Sequence, residues 1–368
     1  YYLNNDTWVE LADATSDFGI EEGAFYYDSE SNRGVFIEWG ADGSRSDVFA
    51  HFEKFPEWSY DTGVHGSTCC GIAFSSDGEY LVTGGSDHKV YLFDKDSDTP
   101  IWNYTTGENM RAVAISSDGK YIVAGSEDKK VYLFNKNSST PLWSYNTGRA
   151  VYSVAISEDG EYITSTGGCG QYSDDPCFSL FDKDSSTPLW KYTVPDNTAV
   201  AVDISADGNY IVATSFNGKI YLFNKASNTP IWTYNVGTNV YVWRAVISPD
   251  GEYIAAGSDD DKVYLFDKES STPLWTYSAG DNVRTVDISA NGEYIVAGSY
   301  DDKVYLFDKD SSTPVWSYST GGNIWAVSIT EDGEYIAVSS MDYKFYLFNQ
   351  DSSTPLWIVD ADSAAKAN

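Results

Sequence analysis

The chain has 368 residues, 42% hydrophobic and 16% aromatic, and its 55 acidic against 23 basic residues give a formal net charge of −32. This apolar content suffices for a large core and excludes a disordered polyanion. The acidic excess repels phosphate backbones and anionic lipid, so we expect no nucleic-acid partner. We also expect no membrane span, because the chain has no apolar run of about 18 residues.

The first 63 residues contain five candidate strands. Residues 1–22 hold one of them, Thr7–Leu11 around Trp8. Residues 23–63 hold four more and are predicted to form a divergent first blade, with strands near Phe25–Tyr27, Gly34–Gly40, Val48–Phe52 and Glu57–Gly63. The Trp8 strand is one more than the blades need. It either closes or caps the edge of the fold or pairs with a neighbouring molecule.

Residues 64–359 contain seven copies of a repeat. The Trp of the last strand recurs at steps of 41, 47, 42, 43, 41 and 41 residues. In one copy the predicted strands are Val113–Ser116, Tyr121–Ser126, Val131–Phe134 and Leu142–Tyr145, and an Asp-Gly turn joins the first two. Four short antiparallel strands per unit of about 40 residues are typical of a propeller blade.

The third strand of the repeat is apolar on both faces, so both faces must be covered. Blades stacked side by side around an axis provide that cover. We therefore predict an all-β fold, a single β-propeller of four-stranded antiparallel blades, with eight blades favoured over seven because the divergent unit is counted. Residues 360–368 are predicted to be a polar tail.

Two known repeat types resemble this one. At Ile122–Ser126 and Val131–Asn135 the repeat resembles WD-repeat propellers, although Phe replaces the Trp of the Trp-Asp pair and the Gly-His pair is missing. The buried His–Ser–Asp network of that family is therefore not expected. At Tyr305–Tyr318 the repeat resembles quinoprotein-type repeats, whose tryptophan-docking motif places the outer-strand Trp, here Trp316, against the next blade.

The four cysteines form two pairs in the sequence. Cys169 and Cys177 bracket an insertion between the second and third strands of one blade, and we predict a disulfide there, which indicates an oxidising compartment. The adjacent Cys69 and Cys70 are interpreted as a vicinal disulfide, as two reduced thiols or as cysteines crosslinked elsewhere. Quinoprotein alcohol dehydrogenases carry such a vicinal ring over their quinone, so a quinone is a minor alternative.

The recurring polar residues are predicted to be structural. Lysines at the start of the third strand, such as Lys130, are expected to cover Tyr rings or neutralise Asp. The turn that begins at Asp94 looks like an Asp-rich calcium loop, but its copies lose their carboxylates, as at Asn135. We interpret it as a hydrogen-bonded turn. The prediction is thus no cofactor, with Ca²⁺ as the alternative; the identity of any metal is unknown.

One face of the disc is a candidate ligand-binding surface. The position two residues before the first-strand Val varies between copies and is rich in Trp, Tyr and Arg. Loops between the second and third strands lie on the same face. Aromatic rings and arginines anchor many interfaces, and plugging of the channel is the alternative role. The candidate residues are Arg111, Tyr152, Trp243, Arg284, Trp325, His88, Phe216 and Tyr300.

Two acidic residues interrupt an otherwise small or apolar position of the first strand. Asp203 and Asp287 stand where other copies have Ala, Val or Ser. In a propeller this position faces the central channel. We expect the two carboxylates to hold water there, with a cation as the alternative.

No catalytic motif stands out, and the chain has only three His. We therefore predict a non-enzymatic, extracellular or cell-surface propeller that binds a protein or glycan through the aromatic and arginine face. The alternatives are a structural subunit of a surface layer or filament, self-associating through a terminal strand, and a quinoprotein-type oxidoreductase.

Overall fold

The computed structural model describes residues 26–28, 33–39, 46–52, 55–61, 71–170, 175–195, 198–238 and 240–360. These residues contain eight four-stranded antiparallel sheets. The N-terminal sheet consists of β1 (Tyr26–Asp28), β2 (Arg33–Trp39), β3 (Ser46–Phe52) and β4 (Phe55–Asp61). The seven sheets that follow are called blades 1 to 7, in chain order. The prediction for Thr7–Leu11 and Trp8 lies outside the described residues.

The strands of the blades are short and evenly spaced. Blade 1 has β5 (Ile72–Phe74), β6 (Tyr80–Gly84), β7 (Lys89–Asp94) and β8 (Trp102–Thr105); blade 2 has β9 (Met110–Ile115), β10 (Tyr121–Ser126), β11 (Lys130–Asn135) and β12 (Ser138–Asn146). Blade 3 has β13 (Val154–Ile156), β14 (Tyr162–Gly168), β15 (Pro176–Asp182) and β16 (Trp190–Thr193); blade 4 has β17 (Ala199–Ile204), β18 (Tyr210–Ser215), β19 (Lys219–Asn224) and β20 (Trp232–Asn235). Blade 5 has β21 (Val242–Ile247), β22 (Tyr253–Ser258), β23 (Lys262–Asp267) and β24 (Trp275–Ser278); blade 6 has β25 (Val283–Ile288), β26 (Tyr294–Ser299), β27 (Lys303–Asp308) and β28 (Trp316–Ser319). Blade 7 has β29 (Ile324–Ile329), β30 (Tyr335–Ser340), β31 (Lys344–Asn349) and β32 (Trp357–Asp360).

The turn between the first two strands follows directly from its sequence. In blade 2 the Ser116 hydroxyl donates to Asp118 Oδ1 at 2.7 Å, and that oxygen also accepts from the Lys120 N–H at 2.9 Å. Gly119 has a φ of 68°, which favours glycine. A Cβ at Gly119 would also lie 2.6 Å from the ring of Tyr80 in blade 1. Gly119 therefore serves both the turn and the packing between blades.

The third strand of each regular blade lies in the core. In β11, Val131, Leu133 and Phe134 are fully buried and Tyr132 is only 3% exposed. Apolar side chains on both faces of one strand are thus covered by the neighbouring blades, as predicted. The all-β propeller predicted from the sequence is confirmed.

Tryptophan docking joins successive blades. Trp102 of blade 1 donates its indole N–H to the carbonyl of Lys136 in blade 2 at 2.7 Å, and its ring lies 5.3 Å from that of Phe134. The contact recurs along the chain, and Trp316 of blade 6 donates to Gln350 of blade 7 at 2.8 Å. The prediction drawn from the quinoprotein-type resemblance is confirmed for these Trp residues.

An Asp–Tyr hydrogen-bond network recurs in the blades. In blade 2, Asp128 accepts from the hydroxyl of Tyr132 through Oδ2 and from the Lys130 N–H at 3.1 Å through Oδ1. Oδ2 also accepts from the N–H of Gly107, in the loop after blade 1, at 2.9 Å. Burial and the bond to Asp128 raise the pKa of Tyr132. One carboxylate therefore holds a strand, a core ring and the preceding blade together.

Backbone hydrogen bonds around the axis show how the blades meet. The N–H of Ser76 donates to the carbonyl of Ser117 at 3.1 Å, and Ser117 donates to Glu158 in the same way at 3.0 Å. At the junction between the first and the last blade, the Ser76 hydroxyl donates to Glu331 Oε1 at 3.2 Å. This bond joins blade 1 directly to blade 7. This contact corresponds to a ring of seven blades, the number predicted as the alternative to eight. The eighth sheet of the chain is the N-terminal sheet of β1 to β4.

Candidate functional site

A repeated backbone bond gathers the variable residues on one face. The first residue of the turn between the second and third strands donates its N–H to a residue just before the first strand of the same blade. Asp259 donates in this way to the carbonyl of Tyr241 at 2.9 Å, and Tyr300 donates to Asn282 at 2.8 Å. The same bond occurs in blades 2, 4, 5, 6 and 7, so each of these blades places one turn residue beside the start of its innermost strand.

Three aromatic rings meet on this face between blades 4 and 5. Phe216 of blade 4 lies 4.8 Å from Tyr241 and 5.4 Å from Trp243, measured between ring centroids. Tyr241 and Trp243 lie 5.6 Å apart. Tyr241 is 41% exposed, which is unusual for a large ring in this protein. The three rings form a continuous surface that reaches solvent.

An arginine extends this surface into blade 6. The guanidinium of Arg284 lies 3.7 Å from the ring centroid of Trp243 and 4.8 Å from that of Tyr300. Both distances are typical of cation–π contacts. We call Phe216, Tyr241, Trp243, Arg284 and Tyr300 the aromatic–arginine patch.

Asp259 contacts two residues of the patch, Trp243 and Arg284. Its Oδ1 accepts from the indole N–H of Trp243 at 2.6 Å and lies 3.5 Å from Nε of Arg284. Burial raises the pKa of Asp259; the bond from Trp243 and the charge of Arg284 oppose this rise, and the carboxylates of Asp261 and Asp281 add to it. Acidic side chains therefore lie beside the aromatic–arginine patch.

The other predicted face residues lie apart from the patch. In blade 2, Arg111 donates from Nε to Glu127 Oε1 at 2.9 Å and lies 6.0 Å from the ring of Tyr152. His88 lies in a turn of blade 1 with a φ of 67°, and Trp325 is the second residue of β29 in blade 7. His88 and Trp325 thus belong to blades 1 and 7, whereas the patch is formed by blades 4 to 6. The patch thus unites Phe216, Trp243, Arg284 and Tyr300 of the eight predicted residues.

The first strands of blades 4, 5 and 6 carry three charged residues, Asp203, Arg244 and Asp287, which the sequence revealed only in part. Asp203 Oδ2 accepts from the N–H of Ile247 at 2.9 Å, and Asp287 Oδ2 accepts from the N–H of Ile329 at 3.0 Å. Burial raises the pKa of Asp203 to about 6, and the charge of Arg244 opposes that rise for both carboxylates. The chain thus places its own Arg244 near the two carboxylates for which water or a cation was predicted.

The structure contains the predicted Cys169–Cys177 disulfide, with a Cα–Cα distance of 5.1 Å. It closes the loop between β14 and β15 of blade 3, and Thr193 Oγ1 lies 3.2 Å from the sulfur of Cys169. Cys69 and Cys70 lie outside the described residues, so their pairing stays a prediction.

The recurring lysines and Asp-rich turns are structural, as predicted. Lys130 Nζ lies 5.8 Å from the ring centroid of Tyr132, and Lys262 Nζ lies 2.7 Å from Asp260. Asp94 Oδ1 accepts from the N–H of Asp96 at 3.0 Å, which is a hydrogen-bonded turn. Within the described ranges, no three His, Cys, Asp or Glu residues lie close enough to hold a metal ion. The prediction about cofactors, with its Ca²⁺ alternative, remains a prediction.

Sequence reasoning missed Tyr241, Asp259 and Arg244. Tyr241 and Arg244 flank Trp243, where a bulge between Val242 and Arg244 shifts the register of β21. Such a bulge has no signature in a single copy of the repeat. A comparison of copies could have singled out Arg244, because the equivalent position is Ala112 in blade 2 and Ala326 in blade 7.

The repeated four-stranded blades define a β-propeller of the WD-repeat type. The family model of the IFT122 first beta-propeller matches residues 68–349. The chain therefore belongs to this family. None of the curated proteins matches the chain. No helix in the described part of the chain is long and apolar enough to cross a bilayer.

The family corrects the predicted location and function. IFT122 propellers belong to an intracellular family, so the prediction of an extracellular or cell-surface protein is wrong. That prediction depended on Cys169 and Cys177. Their spacing shows that two sulfurs can meet across a loop, but it carries no information about the redox state of a compartment. The surface-layer and quinoprotein alternatives are set aside with it.

Proposed function

We propose that this chain is a non-catalytic, intracellular interaction module that binds a protein partner through the aromatic–arginine patch. Its family supports a role in protein interaction. The patch itself carries the proposal. It brings residues of three successive blades into one cluster, of which Tyr241 is 41% exposed. Aromatic and arginine anchors of this kind dominate the binding energy of many interfaces.

The patch is suited to binding because it is held in place before a partner arrives. Trp243 is fixed by its bond to Asp259 at 2.6 Å, and Arg284 is stacked on Trp243 at 3.7 Å. Ordered anchors lose little conformational freedom on binding. A protein that docks here therefore gains contact area at a low entropic cost.

The test is quantitative affinity capture from cells that make the protein naturally. The double variant Tyr241→Ala/Trp243→Ala is compared with the wild type and with Leu142→Ala/Leu189→Ala. The control pair lies on the outer rim, where both leucines are more than half exposed, at 53% and 52%. We expect the patch variant to lose specific partners about tenfold or more and the rim variant to keep them. Equal recovery by all three proteins, with unchanged circular dichroism, would contradict the proposal.

A further inference from the structure

The chemistry of the patch points to the kind of partner. We propose that the partner presents a basic segment and that one Lys or Arg side chain of that segment binds between the ring of Tyr241 and the carboxylate of Asp259. This inference rests on the proposed function and adds the chemical class of the ligand.

The arrangement of charges disfavours an acidic ligand. Arg284 is the cation of the patch, and it already lies against two rings and 3.5 Å from Asp259. Asp261 and Asp281 act electrostatically on the same carboxylate. The nearby Lys262 is paired with Asp260 at 2.7 Å. An approaching carboxylate thus meets three negative charges around one guanidinium, whereas a cation is attracted.

The proposed cation site lies between Tyr241 of the patch, which is 41% exposed, and Asp259, whose side chain is 18% exposed. Trp243 connects the two, because its ring lies 5.6 Å from that of Tyr241 and its indole N–H donates to Asp259. Tyr241 and Asp259 are neighbours because the N–H of Asp259 donates to the carbonyl of Tyr241 at 2.9 Å, and the Ser258 hydroxyl donates to the same carbonyl at 3.1 Å. Asp259 uses Oδ1 for Trp243, and no hydrogen bond within the described ranges reaches Oδ2. An exposed aromatic ring beside a carboxylate oxygen is a suitable receptor for a Lys or Arg side chain.

Blade 2 offers an internal comparison. There Glu127 holds the position equivalent to Asp259, and its N–H donates to the carbonyl of Asn109 at 2.9 Å. Arg111 of the same blade neutralises Glu127 through a bond of 2.9 Å from Nε. Blade 2 therefore has a carboxylate that is hydrogen-bonded to its own arginine, and it has Asn109 rather than an aromatic ring at the position of Tyr241. The combination needed for a basic ligand belongs to blade 5.

The experiment uses the full chain and two synthetic twelve-residue probes of alternating Gly and charged residues, one with Lys and one with Glu. Binding is measured by calorimetry at low and at physiological salt. We expect the Lys peptide to bind and the Glu peptide not to bind. Asp259→Asn and Tyr241→Leu should each lower the affinity for the Lys peptide by about tenfold. The Asn keeps an acceptor for Trp243, and the Leu keeps apolar packing.

Glu127→Gln is the matched control, because it removes one carboxylate from the same face. It should leave the affinity for the Lys peptide unchanged. Equal weakening by Glu127→Gln and Asp259→Asn would mean general attraction to an acidic protein and would overturn the inference. The inference would also be overturned if a captured partner requires the patch but binds Asp259→Asn as tightly as the wild type. The proposed function would stand in that case.

Discussion

Replacing Trp232 by Phe tests the docking contact that joins neighbouring blades. Trp232 of blade 4 is 8% exposed, stacks 5.3 Å from Phe266 of blade 5 and donates to the carbonyl of Lys268 at 2.9 Å. Phe keeps one ring but leaves that carbonyl without its donor, which costs about 1–3 kcal/mol. The lost ring area adds roughly 1 kcal/mol. We therefore expect Trp232→Phe to lower the free energy of unfolding by about 2–3 kcal/mol and Trp232→Ala by about 3–5 kcal/mol.

The change in the free energy of unfolding is measured by guanidinium unfolding followed by far-ultraviolet circular dichroism. It is obtained from the shift of the denaturation midpoint, provided that the dependence of the free energy on denaturant concentration is the same in both proteins. Trp325→Phe is the matched control, because no hydrogen bond within the described ranges uses the Trp325 indole. It should change the free energy of unfolding by less than about 1 kcal/mol. The docking argument is refuted if Trp232→Phe costs no more than this control.

Three further predictions concern the channel, the Asp–Tyr network and the turns. Burial raises the pKa of Asp203 from 3.8 to about 6, so ionisation of this carboxyl destabilises the fold as the pH rises. Between pH 4 and pH 7 the free energy of unfolding of Asp203→Asn should therefore rise by up to about 3 kcal/mol relative to that of the wild type. Urea unfolding at each pH measures the difference. Tyr305→Phe removes the hydroxyl that donates to Asp301 at 2.5 Å, and it should cost about 1–2 kcal/mol in thermal unfolding. Gly160→Ala should lower the melting temperature markedly, because Gly160 has a φ of 73° and a Cβ there would lie 2.6 Å from the ring of Tyr121; an unchanged melting temperature would contradict the packing of the turn.

The repeat made the fold predictable. Each copy supplies the same strand pattern, the same Asp-Gly turn and the same Trp, so errors in one copy are corrected by the others. The strand predicted at Tyr121–Ser126 has those bounds in the structure. The network around Asp128 was not foreseen, because its partner Tyr132 was interpreted only as an apolar side chain of the third strand. A hydrogen bond from the tip of a core ring has no periodic signature.

The candidate site was only partly predictable. Variation between copies singled out Trp243 and Arg284, which do contact each other at 3.7 Å. It could not show that neighbouring blades would bring Phe216 against Trp243, because that contact depends on how the blades pack. The approach of Arg244 to Asp203 could not be foreseen, because the two residues lie on different strands and their proximity depends on how the blades pack.

Ring closure at the last junction follows from the repeat of the docking contact. Six Trp residues donate to a carbonyl of the next blade. The hydrogen bond from Ser76 to Glu331 places blade 1 beside blade 7. The seventh Trp, Trp357, is therefore expected to dock on blade 1 at the carbonyl of Lys95, the equivalent of Lys136. Its replacement by Ala should destabilise the whole ring as much as Trp232→Ala does.

Site-specific photo-crosslinking in living cells tests the central claim most directly. A photo-reactive benzoylphenylalanine replaces Tyr241 in one protein and Leu142 in another, and adducts are compared after irradiation. Leu142 on the rim is 53% exposed and Tyr241 on the patch is 41% exposed, so exposure alone favours the rim. We predict a discrete protein adduct at position 241 and none at position 142. Equal adducts at both positions, or adducts only at the rim, would contradict the assignment of the patch as the partner-binding surface.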